Sequence, residues 1–288
     1  MDWLVTLTGA AVVLLILRDV FHTLWHPTRH GGLSRTVMTG LWHLLSRGRA
    51  VREAAGLVGP FGLVSVVVMW ACGVSIGWAL MYWPHMPEAF TFSSRLDPAA
   101  HSGPVDALYV SLVMVATLGL GDIAPTEDWL RVVAPLQAMV GFALLTATVS
   151  WVLGIYPALA RRRALALRIH HLHRAGLSPQ HLESSTGASV LDGLACEIAR
   201  VCVDFTQYPE SYYFHDGPGN TSLPRTIHFA AELAAQAQRS EQAGIRLAAS
   251  ALAAALDDLA AVLDERFLHT GQSRQQVLAA YADDHGRH

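Results

Sequence analysis

The residues whose types and spacing best suggest chemistry are Thr117 to Asp122, which read TLGLGD. Glycine adopts positive φ angles without steric cost, so Gly119 and Gly121 permit the alternating dihedrals that turn successive carbonyl oxygens to one side. Such a column of carbonyls, together with a threonine hydroxyl, can replace the hydration shell of a cation. The sequence therefore predicts a cation path through the filter residues Thr117, Leu118, Gly119, Leu120 and Gly121.

The apolar segment directly before this motif, residues 104–116, would position it. Ser102 can cap a helix here, Pro104 suits its first turn, and Asp106 complements the positive end of its dipole. The segment is shorter than the roughly 20 residues that a membrane crossing needs, so it would enter and leave the membrane on one side. Its negative C-terminal end would face the cation, and Asp122 at the pore mouth would raise the local cation concentration.

A second group, Asp19, His22 and His26, recurs at helical spacings. Carboxylate and imidazole groups so arranged could bind a divalent metal, or form a pH-sensitive contact with the arginines that follow. The interpretation that we favour is an interfacial polar face beside Arg18. Another histidine group comprises His170, His171, His173 and His181. For this group pH sensing and an ordinary solvated surface are both open, and the surface is favoured.

The composition indicates a membrane half followed by a soluble half. Of the 288 residues 52% are hydrophobic, which is a high share for a soluble protein. Residues 58–83 contain no Arg, Asp or Glu, whereas the chain after Arg161 contains many. The net charge of −3 argues against nucleic acid as a partner. The three cysteines are too few and too scattered for a disulfide framework.

Three segments have the length and apolarity of membrane spans, namely residues 3–25, 57–83 and 129–156. No basic residue precedes the first apolar stretch, so we expect a retained span and not a cleaved signal peptide. Arginines cluster between the first two spans and again at Arg161 to Arg163, and the positive-inside rule places both groups in the cytoplasm. The sequence thus predicts a multi-pass protein of the plasma (inner) membrane, with its N-terminus outside and its C-terminal domain in the cytoplasm.

The order of span, short helix, TLGLGD and span resembles the pore module of the potassium-channel superfamily, whose signature is TVGYGD. Four residues match the threonine, both glycines and the aspartate of that signature: Thr117, Gly119, Gly121 and Asp122. Leu118 stands for the valine and Leu120 for the tyrosine, and the resemblance covers residues 57–157. It implies a passive channel without catalysis or cofactor, with K⁺ as the permeant ion. It also implies a homotetramer in the lipid bilayer, because one filter segment cannot enclose an ion.

The third span carries further candidate residues. Gly141 lies where the inner helix of the family tends to have a hinge glycine. Leu145, Thr148 and Val152 share one helical stripe with it and are the candidate pore lining. Gln137, Thr146, Thr148 and Ser150 are polar within a membrane helix and could face a water-filled cavity, but Thr and Ser can equally bond to the backbone of their own helix, and both interpretations are open.

Leu120 leaves alternatives open, because the family usually has an aromatic ring at this position. Tyr109 and Val110 stand where the pore helix of the family often has tryptophans that brace the ring. A nonselective or Na⁺-permeable cation channel is therefore the nearest alternative. The alternative of another class is a membrane-anchored sensor or scaffold with a non-conducting pore module. A membrane enzyme that uses Asp19, His22 and His26 as metal ligands is more distant.

After Arg163 the sequence predicts a helical cytoplasmic domain. Apolar residues recur at helical spacing over 191–205, and a leucine stripe from Leu252 to Leu263 suits a bundle or a subunit contact. Residues 208–224 are aromatic and rich in Gly and Pro, which is typical of a long loop. No nucleotide-binding glycine motif is present, so the ligand or partner of this domain stays open.

The predicted fold class is an all-α membrane protein with an extra N-terminal span, a two-span pore module with a re-entrant pore helix, and an all-helical cytoplasmic domain. The predicted domains are a transmembrane helix at 1–27, a basic cytoplasmic linker at 28–56, the pore module at 57–160 and the cytoplasmic domain at 161–288. The pore module comprises an outer helix at 57–83, a pore helix at 104–116, the filter at 117–122 and an inner helix at 129–157. Gly154 and Pro157 are expected to bend the inner helix.

Overall fold

The computed structural model describes residues 2–25, 32–46, 57–176, 182–183, 185–217 and 219–286. In this part of the chain three helices are long and apolar enough to cross a membrane: α1 (Asp2–Leu24), α3 (Val58–Tyr82) and α5 (Asp128–Arg174). The amphipathic helix α2 (Leu33–Ser46) lies between α1 and α3 in the sequence. Strand β1 (Phe90–Phe92), helix α4 (Pro104–Val115) and strand β2 (Ile123–Pro125) separate α3 from α5.

The C-terminal part is helical, as predicted. Its helices are α6 (Ser185–Gln207), α7 (Leu223–Ala237), α8 (Ala243–Leu263) and α9 (Arg274–Gly286), with short turns at Pro209–Tyr213 and Asp264–Leu268. The protein is thus mostly an all-α membrane protein. One element was not predicted: a two-stranded antiparallel sheet in which β1 pairs with β2.

The chain divides into two compact units. The first contains α1, the start of α2, and the chain from Val64 to Val152. The second contains the end of α2, the start of α3, and the chain from Leu153 onward. This division falls earlier on the chain than the predicted domain boundary after residue 160. It also assigns part of the predicted linker, residues 38–46 of α2, to the second unit.

Helix α5 is longer than the predicted inner helix. Its 47 residues would extend about 70 Å at a rise of ~1.5 Å per residue, more than twice the ~30 Å hydrocarbon layer. Gly154 and Pro157 lie inside this helix and do not end it. An added Cβ at Gly154 would lie 2.6 Å from the Tyr208 ring, so this glycine makes room for an aromatic side chain.

Close backbone contact joins α1 to α3 within the first unit. A Cβ at Gly9 would overlap the carbonyl oxygen of Gly77, and a Cβ at Gly73 would lie 2.7 Å from Ile16. Small residues that let helix backbones approach closely are the usual means of helix association in a membrane, where lipid tails compete for apolar contacts. At the opposite end of the contact, His85 packs its ring against Trp3 and Trp129, with centroids 5.4 Å and 5.0 Å away.

The leucine stripe of α8 lies in the core of the second unit. Leu252, Leu256, Leu259 and Leu263 are each 0% exposed, and α8 makes its main contact with α6. Of the two predicted uses of this stripe, the structure therefore has the bundle contact. Within the predicted loop at 208–224, Tyr212 and Phe214 are buried. Their apolar surface is removed from water, so this segment contributes to the core.

The three arginines that follow the third predicted span anchor α5 inside the second unit. Arg161 forms a two-bond contact with the Asp204 carboxylate, at 2.8 Å and 2.6 Å. Arg162 is buried, pairs with Asp216 at 2.6 Å, and donates to the carbonyl oxygens of Ser211 and Phe214. Removing one partner of a buried ion pair typically costs about 3–5 kcal/mol, because the remaining charge is left unpaired.

Candidate ion-conducting site

Helix α4 ends directly at the filter, as the sequence predicts. Its N-cap is Gly103 and not Ser102, because the Asp106 carboxylate accepts the Gly103 N–H at 3.1 Å. Pro104 occupies the first turn, where the missing N–H costs nothing. The helix ends at Val115, and the N–H groups of Thr117 and Leu118 bond back to the carbonyls of Met114 and Val113.

The filter backbone alternates in the sign of φ. Thr117, Gly119 and Gly121 have φ of 57°, 57° and 76°, while Leu118 and Leu120 between them are not at positive φ. Alternation of this kind turns successive carbonyls toward one side of the segment, which is the arrangement that a desolvated cation needs. Added Cβ atoms at Gly119 and Gly121 would meet nothing within 4 Å. Glycine is therefore required there by the backbone conformation and not by space.

The side chains of the filter leucines are exposed in the single chain. Leu118 is 63% and Leu120 is 59% exposed. An exposed leucine is unremarkable alone. Here two of them flank the backbone that would line an ion path, so a single chain leaves the filter without surrounding protein.

Asp122 is fixed at the outer end of the filter by a side chain and by a strand. Tyr109 of α4 donates its hydroxyl to the Asp122 carboxylate at 2.6 Å. The Asp122 carbonyl accepts the Ser93 N–H at 2.8 Å, directly beside the register pair Phe92 and Ile123 of the small sheet. Sequence reasoning noted Tyr109 as a substitute for a tryptophan but missed the sheet, because three-residue strands leave no detectable alternation.

The inner helix presents a face that differs in part from the predicted stripe. Leu145 is 63% exposed, whereas Thr148 and Val152 are half-buried. Phe142 and Val149, which flank Leu145 on the helix surface, are 67% and 51% exposed. Apolar side chains on a membrane helix carry no sequence signal of whether they face lipid, protein or water, so the lining formed by Leu145, Thr148 and Val152 stays a prediction.

Gly141 and Gln137 contact other helices in this structure. Gly141 is half-buried, and a Cβ there would overlap the carbonyl oxygen of Val115. Gln137 is 0% exposed and bonds to Tyr82 and Ser111. Gln137 therefore lies in the packing between helices, where the sequence had suggested a group facing a water-filled cavity.

Asp19 belongs to a contact between three helices. Its carboxylate accepts the Trp70 indole N–H of α3 at 2.8 Å and the Leu33 and Ser34 N–H groups of α2 at 2.7 Å and 3.3 Å. It therefore caps the N-terminus of α2. Among the described residues no group of three His, Cys, Asp or Glu side chains could hold a metal ion. His26 lies outside the described residues, so the metal set of Asp19, His22 and His26 stays a prediction.

The other histidine group does not converge within the described part of the chain. The rings of His170 and His171 have centroids 6.3 Å apart, and the ring of His173 packs edge-on against Phe229 at 4.5 Å. His181 lies outside the described residues. A sensing role for this group stays a prediction.

Residues 65–155 match a family model described as "Ion channel". This segment contains most of α3, all of α4, the filter, and α5 as far as Ile155. About a third of the chain is therefore similar to ion-channel proteins. The resemblance predicted from TLGLGD is thus confirmed at the level of the channel-type pore module, and the matched segment includes α4 and residues 117–122.

A likeness to a membrane protein extends over more of the chain than the match at residues 65–155. The "Uncharacterized membrane protein YdjJ" of Bacillus subtilis (strain 168) is 23% identical over 206 residues, which is 67% of this chain and 57% of that protein. The chain thus spans little more than half the length of this relative, which is itself a membrane protein. No solved structure matches the chain.

Proposed function

We propose that four copies of this chain form a passive cation channel that conducts K⁺ through the filter at residues 117–121, without catalysis or a cofactor. The observation that carries the proposal is the alternation of positive φ at Thr117, Gly119 and Gly121 directly after α4. Leu118 and Leu120 are exposed, which supports surrounding copies of the chain. Four filter segments around one axis would complete the coordination shell that one segment leaves open.

The remaining residues take roles around this path. Asp122 at the pore mouth concentrates cations, Leu145 lines the cavity together with Thr148 and Val152, and Gly141 acts as the gating hinge. The distribution of arginines supports an N-terminus outside the plasma (inner) membrane and a C-terminal unit in the cytoplasm.

Leu120 favours a second candidate, a nonselective or Na⁺-permeable cation channel. Its side chain is aliphatic and 59% exposed, so no aromatic hydroxyl can brace the filter from behind at this position. A filter that is less constrained adjusts its carbonyls to smaller ions more easily, which lowers the preference for K⁺.

The proposal is tested by uptake of radioactive Rb⁺ and Na⁺ into proteoliposomes that contain the full chain. We expect Rb⁺ uptake well above that of empty vesicles and exceeding Na⁺ uptake. Gly119→Ala should remove most of it, because alanine at φ of 57° costs about 1–2 kcal/mol in every subunit. The matched control is Gly40→Ala, since a Cβ at Gly40 meets nothing within 4 Å.

Each outcome separates two functions. Absence of Rb⁺ uptake would overturn the channel and leave the membrane-anchored scaffold. Uptake that is indifferent to Gly119→Ala would move the ion path away from residues 117–121. Equal uptake of Rb⁺ and Na⁺ would establish the nonselective channel in place of the K⁺ channel.

A further inference from the structure

We propose that Gln137 and Gly141 of α5 form a seat for the pore helix α4 and thereby set the ion selectivity of the filter. This inference rests on the proposed function, since selectivity has meaning only if the chain conducts. Gln137 is then a positioning residue and not a polar group that faces the cavity. Gly141 is a positioning residue in addition to its role as a hinge.

Gln137 joins three helices through three hydrogen bonds of its side-chain amide. The Tyr82 hydroxyl of α3 donates to its Oε1 at 2.7 Å. Its Nε2 donates to the Ser111 carbonyl oxygen of α4 at 2.9 Å and to the Ser111 Oγ at 2.7 Å. Gln137, Ser111 and Tyr82 are each 0% exposed. An amide with no water within reach depends on these partners, because an unsatisfied polar group in the hydrocarbon region costs several kcal/mol.

Ser111 carries the chain of bonds on to α3. Its hydroxyl donates to the Ser75 carbonyl oxygen at 2.7 Å. Every donor in this series faces an acceptor: Tyr82 to Gln137, Gln137 to Ser111, and Ser111 to Ser75. Because each group has only one arrangement that satisfies its neighbours, the network specifies a unique position for α4 between α3 and α5.

A second contact lies one helical turn further along both helices. Gly141 follows Gln137 by four residues, and Val115 follows Ser111 by four residues. The Val115 carbonyl oxygen lies where a Cβ of residue 141 would be. Two contacts, one turn apart on each helix, fix both the rotation and the depth of α4 relative to α5.

The filter begins immediately after this seat. Val115 is the last residue of α4, and Thr117 already has positive φ. The N–H groups of Thr117 and Leu118 bond to carbonyls in the last turn of α4, at 3.0 Å and 2.9 Å. A shift of α4 is therefore passed on directly to the carbonyls that would coordinate the ion, and ion preference depends on the spacing and field of those carbonyls.

The test is the K⁺/Na⁺ permeability ratio from reversal potentials of the reconstituted full chain. We expect Gln137→Leu and Gly141→Ala to change the ratio at least about fivefold, which corresponds to about 1 kcal/mol. Gln137→Glu should give a ratio closer to that of the wild type, because a protonated carboxyl group can accept from Tyr82 and donate to Ser111. The control is Thr8→Val, whose hydroxyl bonds only within α1, to the Leu4 carbonyl at 2.8 Å.

Tyr82→Phe covers the case in which the central substitutions prevent assembly, because it removes a single bond at the edge of the network. A wild-type ratio in conducting channels of all these variants would overturn the seat while leaving the channel intact. The seat would also be overturned if every variant, including Tyr82→Phe, failed to assemble, because the network would then contribute only to the stability of the fold. If Gly141 is only a hinge, Gly141→Ala changes total flux and not the ratio. Absence of conduction in the wild type would overturn the proposed function itself, and the seat with it.

Discussion

Thr117 is the residue whose backbone departs most from its type. It is β-branched and yet has φ of 57°, a conformation that costs non-glycine residues of order 1–3 kcal/mol. The neighbouring positions of the same sign, 119 and 121, are glycines. Serine or glycine would lower the strain at 117, but glycine would also remove the hydroxyl group that can serve as an ion ligand. A strained residue retained within a candidate site supports a functional role for it.

At the same scale, the bond between Tyr109 and Asp122 yields a prediction about flux. Tyr109→Phe and Asp122→Asn should each lower Rb⁺ uptake several-fold, because the Tyr109 hydroxyl holds the carboxylate in place and Asp122 supplies the charge at the pore mouth. The double variant should be little worse than Asp122→Asn alone, since an amide oxygen accepts a weaker bond from Tyr109 than a carboxylate does and little is left for Tyr109→Phe to remove. The measurement is proteoliposome uptake at low and high ionic strength.

Ionic strength separates the two roles of Asp122. Its charge attracts cations to the pore mouth, and this effect is screened by salt. The Asp122→Asn defect should therefore shrink at high salt, while the Tyr109→Phe defect should not. Additive losses in the double variant would show that Tyr109 and Asp122 act independently.

At the scale of elements, the C-terminal helix α9 is held by an aromatic cluster in the second unit. The His285 ring lies 5.3 Å from that of Trp42 and 4.7 Å from those of Tyr212 and Tyr281. Its Nε2 is 2.8 Å from the Tyr212 carbonyl oxygen. Burial lowers the pKa of His285, and the nearby Arg162 charge lowers it further, so this histidine is neutral in the fold.

The lowered pKa of His285 predicts that acid destabilises the second unit. The unfolded chain binds a proton near pH 6.5, whereas the folded one binds it only at lower pH. The stability that the neutral His285 ring contributes to the second unit is therefore complete above about pH 6.5 and is lost as the pH falls below that value. The Tyr212 carbonyl and the carboxylates of Asp284 and Asp216 oppose the shift without reversing it.

The measurement is the thermal midpoint of the detergent-solubilised chain between pH 7.5 and 5.5, compared with His285→Phe. The midpoint of the wild type should fall more steeply with decreasing pH than that of the variant, which has no group to protonate at this position. Parallel curves would exclude His285 as the source. Hydrogen exchange in α9 should rise first, since this helix carries the ring.

At the scale of the whole molecule, the proposed four-chain pore would cover apolar surface that one chain leaves exposed. Large apolar side chains of α5 are exposed, including Val132 at 64%, Met139 at 67% and Phe142 at 67%. Lipid can cover such a face, but lipid cannot complete a filter whose backbone is open on one side. A central axis shared by several chains satisfies both requirements.

We therefore predict a particle of four chains of 31.2 kDa each. Native mass spectrometry of the detergent-solubilised protein measures the chain number directly, and mixing tagged with untagged chains during expression checks it by the pattern of co-purified species. A monomer or dimer would contradict the four-fold pore and support the scaffold. Rb⁺ uptake by a particle of fewer chains would require a different ion path.

The sequence by itself determined the spans, the short helix α4 and the positions of the glycines after it, because these depend on local hydropathy, helix length and the conformational freedom of glycine. Periodicity likewise placed the leucines of α8 on one face. Tertiary structure decided what the polar and small residues of the spans do. Gln137 bonds to Ser111 and Tyr82, which are 26 and 55 residues away in the sequence. Asp19 bonds to Trp70, which is 51 residues away. No local pattern encodes such partners. A glutamine or a glycine in an apolar helix has the same appearance whether it faces water, lipid or another helix, and only packing against the pore helix gave Gln137 and Gly141 their positions.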